Sequence, residues 1–449
     1  MKADIAARFD TRVPRYTSYP TAPHFGGDVD GGVYRRWLGE LDPEQPLSLY
    51  FHVPFCDSLC WFCGCYTKIV KRHQPVAEYL EAVYKEIDLA ADELPGRFRV
   101  AHLHWGGGSP TMLWTDDWRR AMDRLRTRFD IADGAEIAVE LDPRGATEDY
   151  VRALAGAGVN RASIGVQDFH PDVLAAVNRV QPFHVTERVM GWLAKHGIGA
   201  INMDLMIGLP HQTTASMAET VDTAVGLGPE RVAVFGYAHV PWMKKHQKMI
   251  DEEALPGPRL RWDLFQTAAD KLAGHGYVRI GLDHFARPGD GLARALEERR
   301  LRRNFQGYTT DQSSTLLGFG ASAISSLPQG FVQNWAPLKA YREAVEAGRF
   351  PVARGLALSR DDTLRGEVIE SLMCYLEADV GEICADHGTD PGTLDAEIES
   401  LTPLEADGIC TVAGRRVRVA EACRPLVRLV AAAFDSYLES GEQRHARAV

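Results

Sequence analysis

The amino-acid sequence predicts an α/β protein in which a complete or partial (β/α) barrel is followed by a mainly helical second domain. Three observations support this prediction. Short β-rich segments alternate with longer helical ones, the β-rich segments are apolar on both faces, and the alternation stops after about residue 356. Strands that are apolar on both faces are typical of a parallel sheet covered by helices. No Gly-x-Gly-x-x-Gly motif opens a helix, so a barrel is favoured over a doubly wound sheet.

We divide the chain into three regions, residues 1–45, 46–356 and 357–449. The first region is rich in proline and turn formers and has no sustained hydrophobic period, which predicts an ordered arm or loop. In the second region, strands are expected at 47–53, 100–105, 136–141, 161–166, 200–206, 231–237 and 277–282. Helices are expected between them at 76–94, 116–128, 148–157, 185–196, 216–226 and 261–275. The third region is predicted to hold helices at 360–376 and 422–438 and a hairpin at 409–419.

The charge balance excludes some classes of partner. The chain of 449 residues has 50 basic and 61 acidic side chains and a formal net charge of −11. Nucleic acids and anionic membranes are bound through a basic field, so we expect neither as a partner. No apolar run reaches the roughly 18–20 residues that span a bilayer, and the N-terminus has no apolar signal core. We therefore expect a cytoplasmic protein without a membrane span.

The strongest motif is a cluster of cysteines directly after the first predicted strand. Cys56, Cys60 and Cys63 have the spacing C-x₃-C-x₂-C, and Cys65 follows two residues later. Thiolates are the usual ligands of iron–sulfur clusters. Three thiolates on a [4Fe–4S] cluster leave one iron open, and that iron can chelate the amino and carboxylate groups of S-adenosylmethionine and pass it an electron. The motif therefore predicts a radical enzyme.

Two other interpretations of the motif stay open. A structural zinc ion normally has four closed ligands, often as two separated pairs. This sequence has one group of cysteines, and Cys65 lies too close to Cys63 to serve easily as a fourth ligand, so zinc is less favoured. A redox function of the cysteines is the third interpretation. The four downstream cysteines are predicted to be small buried apolar residues; they are Cys374, Cys384, Cys410 and Cys423.

Polar and glycine residues stand at the ends of the following predicted strands. They are the glycines of 106–108 with Ser109, the carboxylates Glu140 and Asp142, and the later residues Gln167, Arg179 and Asp204. Ligands of a (β/α) barrel gather at the C-terminal ends of its strands. Taken individually, such residues more often form a tight turn, a helix cap or a satisfied surface position. Together, they predict a ligand site.

A run of basic residues at 299–303 precedes the segment 304–310. Such a run is typical of a solvated helix face. The alternative is that it docks an acidic substrate at the mouth of the barrel.

With these motifs in view, the chain resembles the radical S-adenosylmethionine superfamily, and within it the oxygen-independent coproporphyrinogen III oxidase family. The resemblance extends over nearly the whole chain. It is carried by RYTSYP at 15–20, YFHVPFC at 50–56, FCGC at 62–65, HWGGGSP at 104–110, GVQDF at 165–169, DHFARP at 283–288 and NFQGYTT at 304–310.

The resemblance implies a set of cofactor-binding residues. Cys56, Cys60 and Cys63 would bind the cluster, and Cys65 would not. Positions that match contacts of a first S-adenosylmethionine are Tyr50, Gly107, Glu140 and Ile324, with Phe62 beside it. Positions that match contacts of a second S-adenosylmethionine are Gly108, Ser109, Gln167, Arg179, Asp204 and Ala238. Arg15 in the arm and Gln306 in a late loop match residues that approach the same cavity, so the arm is expected to contribute to the active site.

The resemblance also implies the reaction. The reduced cluster would split S-adenosylmethionine to methionine and a 5′-deoxyadenosyl radical, which removes a hydrogen from the β-carbon of a propionate. Loss of carbon dioxide and one electron from the resulting radical would then turn each of two propionates of coproporphyrinogen III into a vinyl group of protoporphyrinogen IX. The expected partners are this substrate and an electron donor, and we expect a monomer. A haem-binding relative of the superfamily and a non-enzymatic zinc- or cluster-binding module are the competing interpretations.

Overall fold

The computed structural model describes residues 13–438. Within this range the strands are β1 (Leu47–Val53), β2 (Phe55–Cys56), β3 (Lys68–Ile69), β4 (Arg99–Gly107), β5 (Asp130–Leu141), β6 (Arg161–Gln167), β7 (Ala200–Ile207), β8 (Arg231–Gly236), β9 (Val278–Ile280), β10 (His284–Ala286), β11 (Arg302–Asn304), β12 (Gly307–Thr309), β13 (Thr315–Phe319), β14 (Ile324–Leu327), β15 (Gly330–Asn334), β16 (Val352–Ala357), β17 (Glu377–Asp379), β18 (Cys410–Ala413) and β19 (Arg416–Val419).

The α-helices of the same range are α1 (Gly31–Gly39), α2 (Gln74–Glu93), α3 (Thr115–Arg128), α4 (Glu148–Ala157), α5 (Pro171–Ala176), α6 (Phe183–Lys195), α7 (Thr214–Gly226), α8 (Pro258–Gly274), α9 (Gly291–Glu297), α10 (Leu338–Glu346), α11 (Arg360–Tyr375), α12 (Val380–Asp386), α13 (Asp395–Glu399), α14 (Thr402–Ala406) and α15 (Val427–Ala432). Of these helices, α2 to α8 follow or connect strands of the central sheet, as the βα rhythm of the sequence predicts.

A twelve-stranded sheet forms the centre of the protein, in the order β16-β15-β14-β13-β1-β4-β5-β6-β7-β8-β10-β9. The seven neighbouring strands from β13 to β8 run parallel to one another. Antiparallel strands extend the sheet at both edges. Within residues 13–438 the two edge strands, β16 and β9, do not pair with each other. The α/β class and the partial barrel are confirmed, and the complete barrel is not formed.

Aromatic side chains pack across the middle of the parallel strands. Phe51 of β1 stacks on Trp105 of β4 at 4.3 Å and on Phe319 of β13 at 5.1 Å between ring centroids. Each of these rings is almost fully buried. Burying three large aromatic rings between neighbouring strands contributes several kcal/mol to the hydrophobic stabilisation, on the order of 2 kcal/mol per side chain. This packing positions the end of β1, where the cysteine loop begins.

The segment predicted as a strand at 277–282 lies at an edge rather than in the parallel set. It forms the short β9, which pairs antiparallel with β10. Only three residues separate the two strands, and a parallel pair would need a crossover of a dozen or more. The hairpin therefore ends the run of βα units.

The arm is more structured than its sequence predicts. Residues 31–39 form α1, whose first turn is capped by Asp30, with Oδ1 accepting from the amides of Gly32 and Val33 at 2.9 Å each. The helix buries Tyr34, Trp37 and Leu38. The helix was not predicted because it is only nine residues long and begins with two glycines. An amphipathic pattern is recognised only when its apolar positions repeat over several turns.

The beginning of the arm packs on the last region of the chain. Val13, Tyr16 and Tyr19 belong to one apolar cluster with α11 and α15. The hydroxyl of Tyr16 donates to Oδ2 of Asp435 at 3.0 Å. The arm and the C-terminal region thus share a core, which the sequence did not indicate.

The last region is mainly helical as predicted, with the three-stranded sheet β17-β19-β18 between its helices. The predicted helix at 422–438 is wrong in extent. A 3₁₀ turn over Glu421–Leu426 contains Pro425, and the α-helix covers Val427–Ala432 alone. Proline lacks the amide hydrogen that a continuous helix needs at that position. The four downstream cysteines are buried, as predicted. No helix within residues 13–438 is long and apolar enough to cross a membrane.

A buried carboxylate joins α2 to the edge of the parallel set. Glu86 accepts hydrogen bonds from Tyr341 Oη at 2.6 Å, Asn334 Nδ2 at 2.6 Å and the Gly320 amide at 2.8 Å. Burial raises its pKa to about 7. We expect Glu86→Ala to lower the free energy of unfolding at pH 8 by about 3 kcal/mol, because three buried donors lose their acceptor. Urea unfolding measures this, and Lys85→Ala, which changes an exposed neighbour on the same helix, is the control. Equal losses in the two variants would contradict the prediction.

Candidate active site

The cysteine loop is attached to the C-terminal ends of β1 and β4. The amide of Gly108 donates to Val53 O at 2.8 Å, and the amide of Ser109 donates to Phe55 O at 2.7 Å. The loop begins in β2, which pairs in parallel with β3. These backbone contacts place the first cysteine, Cys56, at the mouth of the parallel sheet, as the strand-end motif predicts.

Hydrogen-bond donors surround two of the three predicted cluster ligands. Thr67 Oγ1 donates to Cys56 Sγ at 3.2 Å. Arg144 Nη2 and Arg179 Nη1 both lie 3.4 Å from Cys60 Sγ. Donors to sulfur stabilise thiolate charge and tune the reduction potential of a cluster. These donors would stabilise the thiolates once the sulfurs bind a metal cluster.

The donor set fits an iron–sulfur cluster. Burial raises the pKa of Cys56 to about 12, so the free thiol keeps its proton at neutral pH. Binding of iron would displace that proton. The three thiols and their charged donors would hold the cluster through Cys56, Cys60 and Cys63.

A segment after β8 holds the far side of the cysteine loop, and sequence inspection missed it. His246 Nε2 donates to Cys63 O at 2.8 Å. Gln247 Nε2 donates to the carbonyl of Phe62 and to that of Ala238, each at 3.2 Å. The segment therefore positions Phe62 and Ala238, two of the predicted cofactor residues, relative to each other. It carries no recognisable motif, because its contacts go to backbone carbonyls that any sequence provides.

The glycines at the end of β4 are required by close packing. A Cβ on Gly106 would lie 2.7 Å from Glu140 Oε1, and one on Gly108 would lie 2.7 Å from Phe55 O. Gly107 has a φ of +115°, which disfavours any side chain. The Gly107 amide donates to Glu140 Oε2 at 3.1 Å. The amides of Gly107 and Gly108 already donate to protein acceptors. A ligand at these glycines would therefore pack against the backbone, which the missing side chains leave accessible.

Tyr50, His52, His104 and Glu140 form one polar group over these glycines. His52 Nε2 donates to the Tyr66 carbonyl at 3.0 Å, so its Nδ1 accepts from Tyr50 Oη at 3.1 Å. His104 Nε2 lies 3.4 Å from Glu140 Oε1. The side chain of Glu140 is 43% exposed, so its carboxylate faces open space at the strand end. Such a carboxylate suits an ammonium group or ribose hydroxyls. The two histidines were not predicted, although both stand in the motifs that carry the family resemblance.

Arg179 connects the second predicted set to the cysteine loop. Besides Cys60, its guanidinium contacts the carbonyl of Gly165 at 2.5 Å and Oδ1 of Asp142 at 3.5 Å. Burial would raise the pKa of Asp142, but Arg179 and Arg144 outweigh it and lower the pKa to about 2. Asp142 is therefore an ion-pair partner rather than the helix cap considered from sequence.

Gln167 ends β6 in a conformation that is unusual for its residue type. Its φ is +74°, and its side chain is buried. A positive φ costs a non-glycine residue on the order of 1–2 kcal/mol, and such residues cluster at functional sites. That Gln167 binds a ligand stays a prediction.

Asp204 lies inside the sheet at the next strand. Its carboxylate accepts from Asn202 Nδ2 at 2.7 Å and from Ser163 Oγ at 3.1 Å. Burial and the charge of Glu140 raise its pKa to about 6. The charge of Glu140 therefore reaches Asp204, one residue of each predicted set.

The remaining predicted residues are Arg15, Ile324 and Gln306. Arg15 Nη2 donates to Gly236 O at 2.8 Å, next to Ala238. Ile324 begins β14, next to β13 in the sheet. Gln306 is exposed at the turn between β11 and β12, and within residues 13–438 its side chain has no hydrogen bond to another predicted site residue.

A separate cleft of about 640 Å³ lies between the arm, β11 and α11. Its size suits a small-molecule ligand. None of the predicted cofactor residues lines it. We place the chemistry at the strand ends instead, because the sulfur and carboxylate groups are there. The basic run at 299–303 borders this cleft from a loop and β11, so the expectation of a helix face is wrong.

Comparison with known proteins identifies the family. A family model described as the Radical SAM superfamily matches residues 50–224. The chain is 51% identical over 450 residues to an oxygen-independent coproporphyrinogen III oxidase of Bradyrhizobium diazoefficiens, with 100% of each chain covered. It is 46% identical to a relative of the same name from Paracoccus denitrificans, over 96% of this chain and 95% of the relative. The solved structure of coproporphyrinogen III oxidase from Escherichia coli, described as a radical SAM enzyme, superposes with a TM-score of 0.90 at 39% identity, covering 94% of this chain and 98% of that chain.

The chain belongs to the radical SAM superfamily, whose members hold a [4Fe–4S] cluster and use S-adenosylmethionine. Within that superfamily it belongs to the family of the oxygen-independent coproporphyrinogen III oxidases, because the similarity extends over the full length of the chain.

Proposed function

We propose that this protein catalyses the oxygen-independent oxidative decarboxylation of two propionates of coproporphyrinogen III to the vinyl groups of protoporphyrinogen IX, a step of porphyrin and haem biosynthesis. It is an oxidoreductase. The observation that carries the proposal is the full-length similarity to enzymes of this name, at 51% identity to one of them. The three-cysteine loop at the mouth of the parallel sheet supports it independently.

The protein binds and positions the reacting groups. A reduced cluster supplies the electron for cleavage of S-adenosylmethionine, and this chemistry belongs to the cofactors. Cys56, Cys60 and Cys63 would bind three irons, with one iron left open. Tyr50, Gly107, Glu140 and Ile324, with Phe62, would surround a first S-adenosylmethionine.

A second S-adenosylmethionine per chain is part of the proposal. Gly108, Ser109, Gln167, Arg179, Asp204 and Ala238 would surround it. The influence of Glu140 on the pKa of Asp204 supports a shared cavity for the two molecules. The electron donor, the monomeric state and the cytoplasmic location stay predictions.

One anaerobic experiment tests the proposed function. The reconstituted protein is incubated with dithionite, S-adenosylmethionine and coproporphyrinogen III, and protoporphyrinogen IX, carbon dioxide and 5′-deoxyadenosine are measured. Two molecules of carbon dioxide per porphyrinogen are expected from the stoichiometry of the reaction. Formation of 5′-deoxyadenosine without carbon dioxide would assign the chain another radical reaction, and haem binding without either product would assign it a haem-carrying role.

The charge of Asp204 predicts a pH dependence of S-adenosylmethionine use. With a pKa of about 6, the carboxylate is ionised above pH 6 and protonated below it. We expect the KM for S-adenosylmethionine to rise as the pH falls through 6. In Asp204→Asn, KM should be raised roughly tenfold at pH 8 and should no longer change near pH 6, because a charged acceptor is lost.

The matched control is Asp172→Asn, which changes an exposed carboxylate at the start of α5. Its KM and pH profile should equal those of the parent protein. If Asp204→Asn had the KM and the pH profile of the parent protein, Asp204 would not be part of the S-adenosylmethionine site.

A further inference from the structure

Three segments of the chain are held against the cysteine loop from outside. They are residues 68–72, which follow the loop, residues 178–183, which follow α5, and residues 242–249, which follow β8. In each segment a side chain donates to a backbone carbonyl of the loop: Lys71 to Asp57 at 2.6 Å, Asn178 to Leu59 at 2.7 Å and Lys244 to Cys65 at 3.1 Å. We call the exposed side chains of these three segments the cysteine-loop surface.

Large apolar side chains are exposed on the cysteine-loop surface. Within residues 13–438, eight large apolar side chains are exposed, and six of them belong to this surface: Ile69, Val180, Phe183, Trp242, Met243 and Met249. Met243 is 59% exposed and Met249 is 61% exposed. Single exposed apolar residues are normal, but a group of them around one feature marks an interaction site. Methionine and aromatic side chains are also enriched at protein interfaces.

Basic side chains are interspersed with these apolar ones. Two of the segments contribute six of them: Lys68, Lys71, Arg72, Lys244, Lys245 and Lys248. Neither 66–75 nor 240–250 contains an aspartate or a glutamate, and the nearest acidic residues along the chain are Asp57 and Asp251. In the part of the chain that the structure describes, none of the six takes part in an ion pair. The whole chain has a formal net charge of −11, so this excess of positive charge is local.

The shape of the surface favours a protein over a small molecule as its occupant. A small-molecule site is concave and buries most of its ligand. The apolar and basic side chains of the cysteine-loop surface are spread over three segments, and none of them lines the cleft of about 640 Å³. Exposed apolar groups with charges among them match the apolar core and polar rim of a protein interface.

We infer that the cysteine-loop surface docks a small acidic electron-carrier protein, which reduces the cluster bound by Cys56, Cys60 and Cys63. This inference rests on the proposed function, which needs an electron from outside the chain. The carrier loses one electron and the cluster gains it, and no atom or proton is exchanged. Electron tunnelling weakens steeply with distance, so the carrier has to approach the loop that holds the cluster. Opposite charges on the two proteins steer that approach.

The charges are expected to act mainly on the rate of association. Electron-transfer complexes are weak and bury less than about 1,200 Å². Charged residues at the rim of an interface change the association rate and its dependence on salt more than the lifetime of the complex. A carrier that has to leave after each electron is well served by such an interface.

The experiment uses the full-length, cluster-loaded protein under anaerobic conditions, with a plant-type ferredoxin as the acidic carrier. One variant is Lys68→Glu with Arg72→Glu, and the other is Lys245→Glu with Lys248→Glu. These four side chains are exposed and make no hydrogen bond within residues 13–438, and the two lysines that hold the loop stay unchanged. Calorimetry with oxidised ferredoxin measures the Kd, and stopped-flow absorbance with reduced ferredoxin measures the rate constant of cluster reduction.

Each double variant is expected to raise the Kd and to lower the second-order rate constant about 10-fold or more at an ionic strength of about 50 mM. At about 0.5 M the rates of the parent protein and the variants should converge, because salt screens exposed charges. The parent protein should also react more slowly at the higher ionic strength.

Two controls separate this surface from general effects. Lys85→Glu with Arg349→Glu reverses two exposed charges on α2 and after α10, so its net charge changes by the same amount. This control should bind ferredoxin and accept electrons like the parent protein. The methyl viologen radical is a small cationic donor that does not need an acidic docking partner. It should reduce the cluster at similar rates in all forms, which shows that the cluster and its loop are intact.

Three results would overturn the inference. The first is the absence of ferredoxin binding and of ferredoxin-dependent reduction in the parent protein. The second is an unchanged Kd and rate in both double variants, or an equal loss in the control variant. The third is a raised KM for coproporphyrinogen III in the double variants with methyl viologen as donor, while ferredoxin binding stays unchanged. The basic residues would then guide the acidic substrate.

Failure of the inference and failure of the proposed function are distinguishable. A parent protein that releases carbon dioxide with methyl viologen, while its double variants bind ferredoxin normally, contradicts the inference alone. A parent protein that takes electrons from ferredoxin through this surface and forms 5′-deoxyadenosine without carbon dioxide contradicts the proposed function alone.

Discussion

Replacement of any one of Cys56, Cys60 and Cys63 by serine is expected to abolish cluster binding and cleavage of S-adenosylmethionine. Each substitution removes one of three thiolates, and a hydroxyl is a far poorer ligand for iron. Loss of an outer partner of a metal site costs about 10- to 100-fold in affinity, so loss of a ligand should cost more than about 100-fold. Iron and sulfide content after anaerobic reconstitution, together with 5′-deoxyadenosine formation, measures the effect.

Cys65→Ser is the matched control for these variants. Cys65 lies in the same loop, is exposed, and is not expected to bind the cluster. The variant should retain the iron, the sulfide and the cleavage of S-adenosylmethionine. If Cys65→Ser lost the cluster while one of the other three variants kept it, the assignment of the ligands would be wrong.

The second large effect is expected at Arg179. Its guanidinium contacts Cys60 Sγ, Gly165 O and Asp142 at once. Lysine keeps the charge but has no planar fork to reach three acceptors. We expect Arg179→Lys to speed the loss of iron to a chelator about 10- to 100-fold, since partners of metal ligands contribute affinities of this order. The rate is followed by the visible absorbance of the cluster.

Arg152→Lys provides the control for Arg179→Lys. Arg152 pairs with Asp149 at 2.9 Å on the exposed face of α4. Its replacement should leave the rate of iron loss unchanged. Thermal melting of the metal-free proteins separates an effect on the cluster from an effect on the fold. Equal rates of iron loss in the two variants would show that Arg179 does not support the cluster.

The fold was predictable where the hydrophobic pattern is long and regular. The βα units from 47 to 236 alternate apolar strands with amphipathic helices, and each predicted strand in this part occurs in the sheet. The pattern failed in short elements. Helix α1, which was not predicted, has nine residues and begins with two glycines. The strand predicted at 277–282 exists, but it covers three residues and lies at an antiparallel edge. Short elements form because tertiary neighbours bury them, and their own periodicity is too brief to fix their extent or pairing.

The site was predictable for residues whose side-chain type indicates a particular chemistry. Three closely spaced cysteines indicate a metal site, and carboxylates at strand ends indicate polar ligands. The residues that orient them were missed. His246 and Gln247 act through backbone carbonyls of the cysteine loop. Arg144 contacts Cys60 from 84 positions away in the chain. Contacts of this kind depend on which strand ends are neighbours in the folded protein, and a single sequence does not reveal those neighbours.

The amino-acid sequence by itself determined the cysteine loop, the positions of the parallel strands along the chain and the family to which the chain belongs. These follow from local patterns and from motifs of several residues, which need no knowledge of distant neighbours. Only the tertiary structure decided how the arm and the C-terminal region come together, since Tyr16 reaches Asp435 across 419 positions. The same is true of the contact between Arg15 in the arm and the carbonyl of Gly236, which are 221 positions apart. Folding brings such residues together through burial of apolar surface elsewhere, so their contacts form only when the core around them has formed.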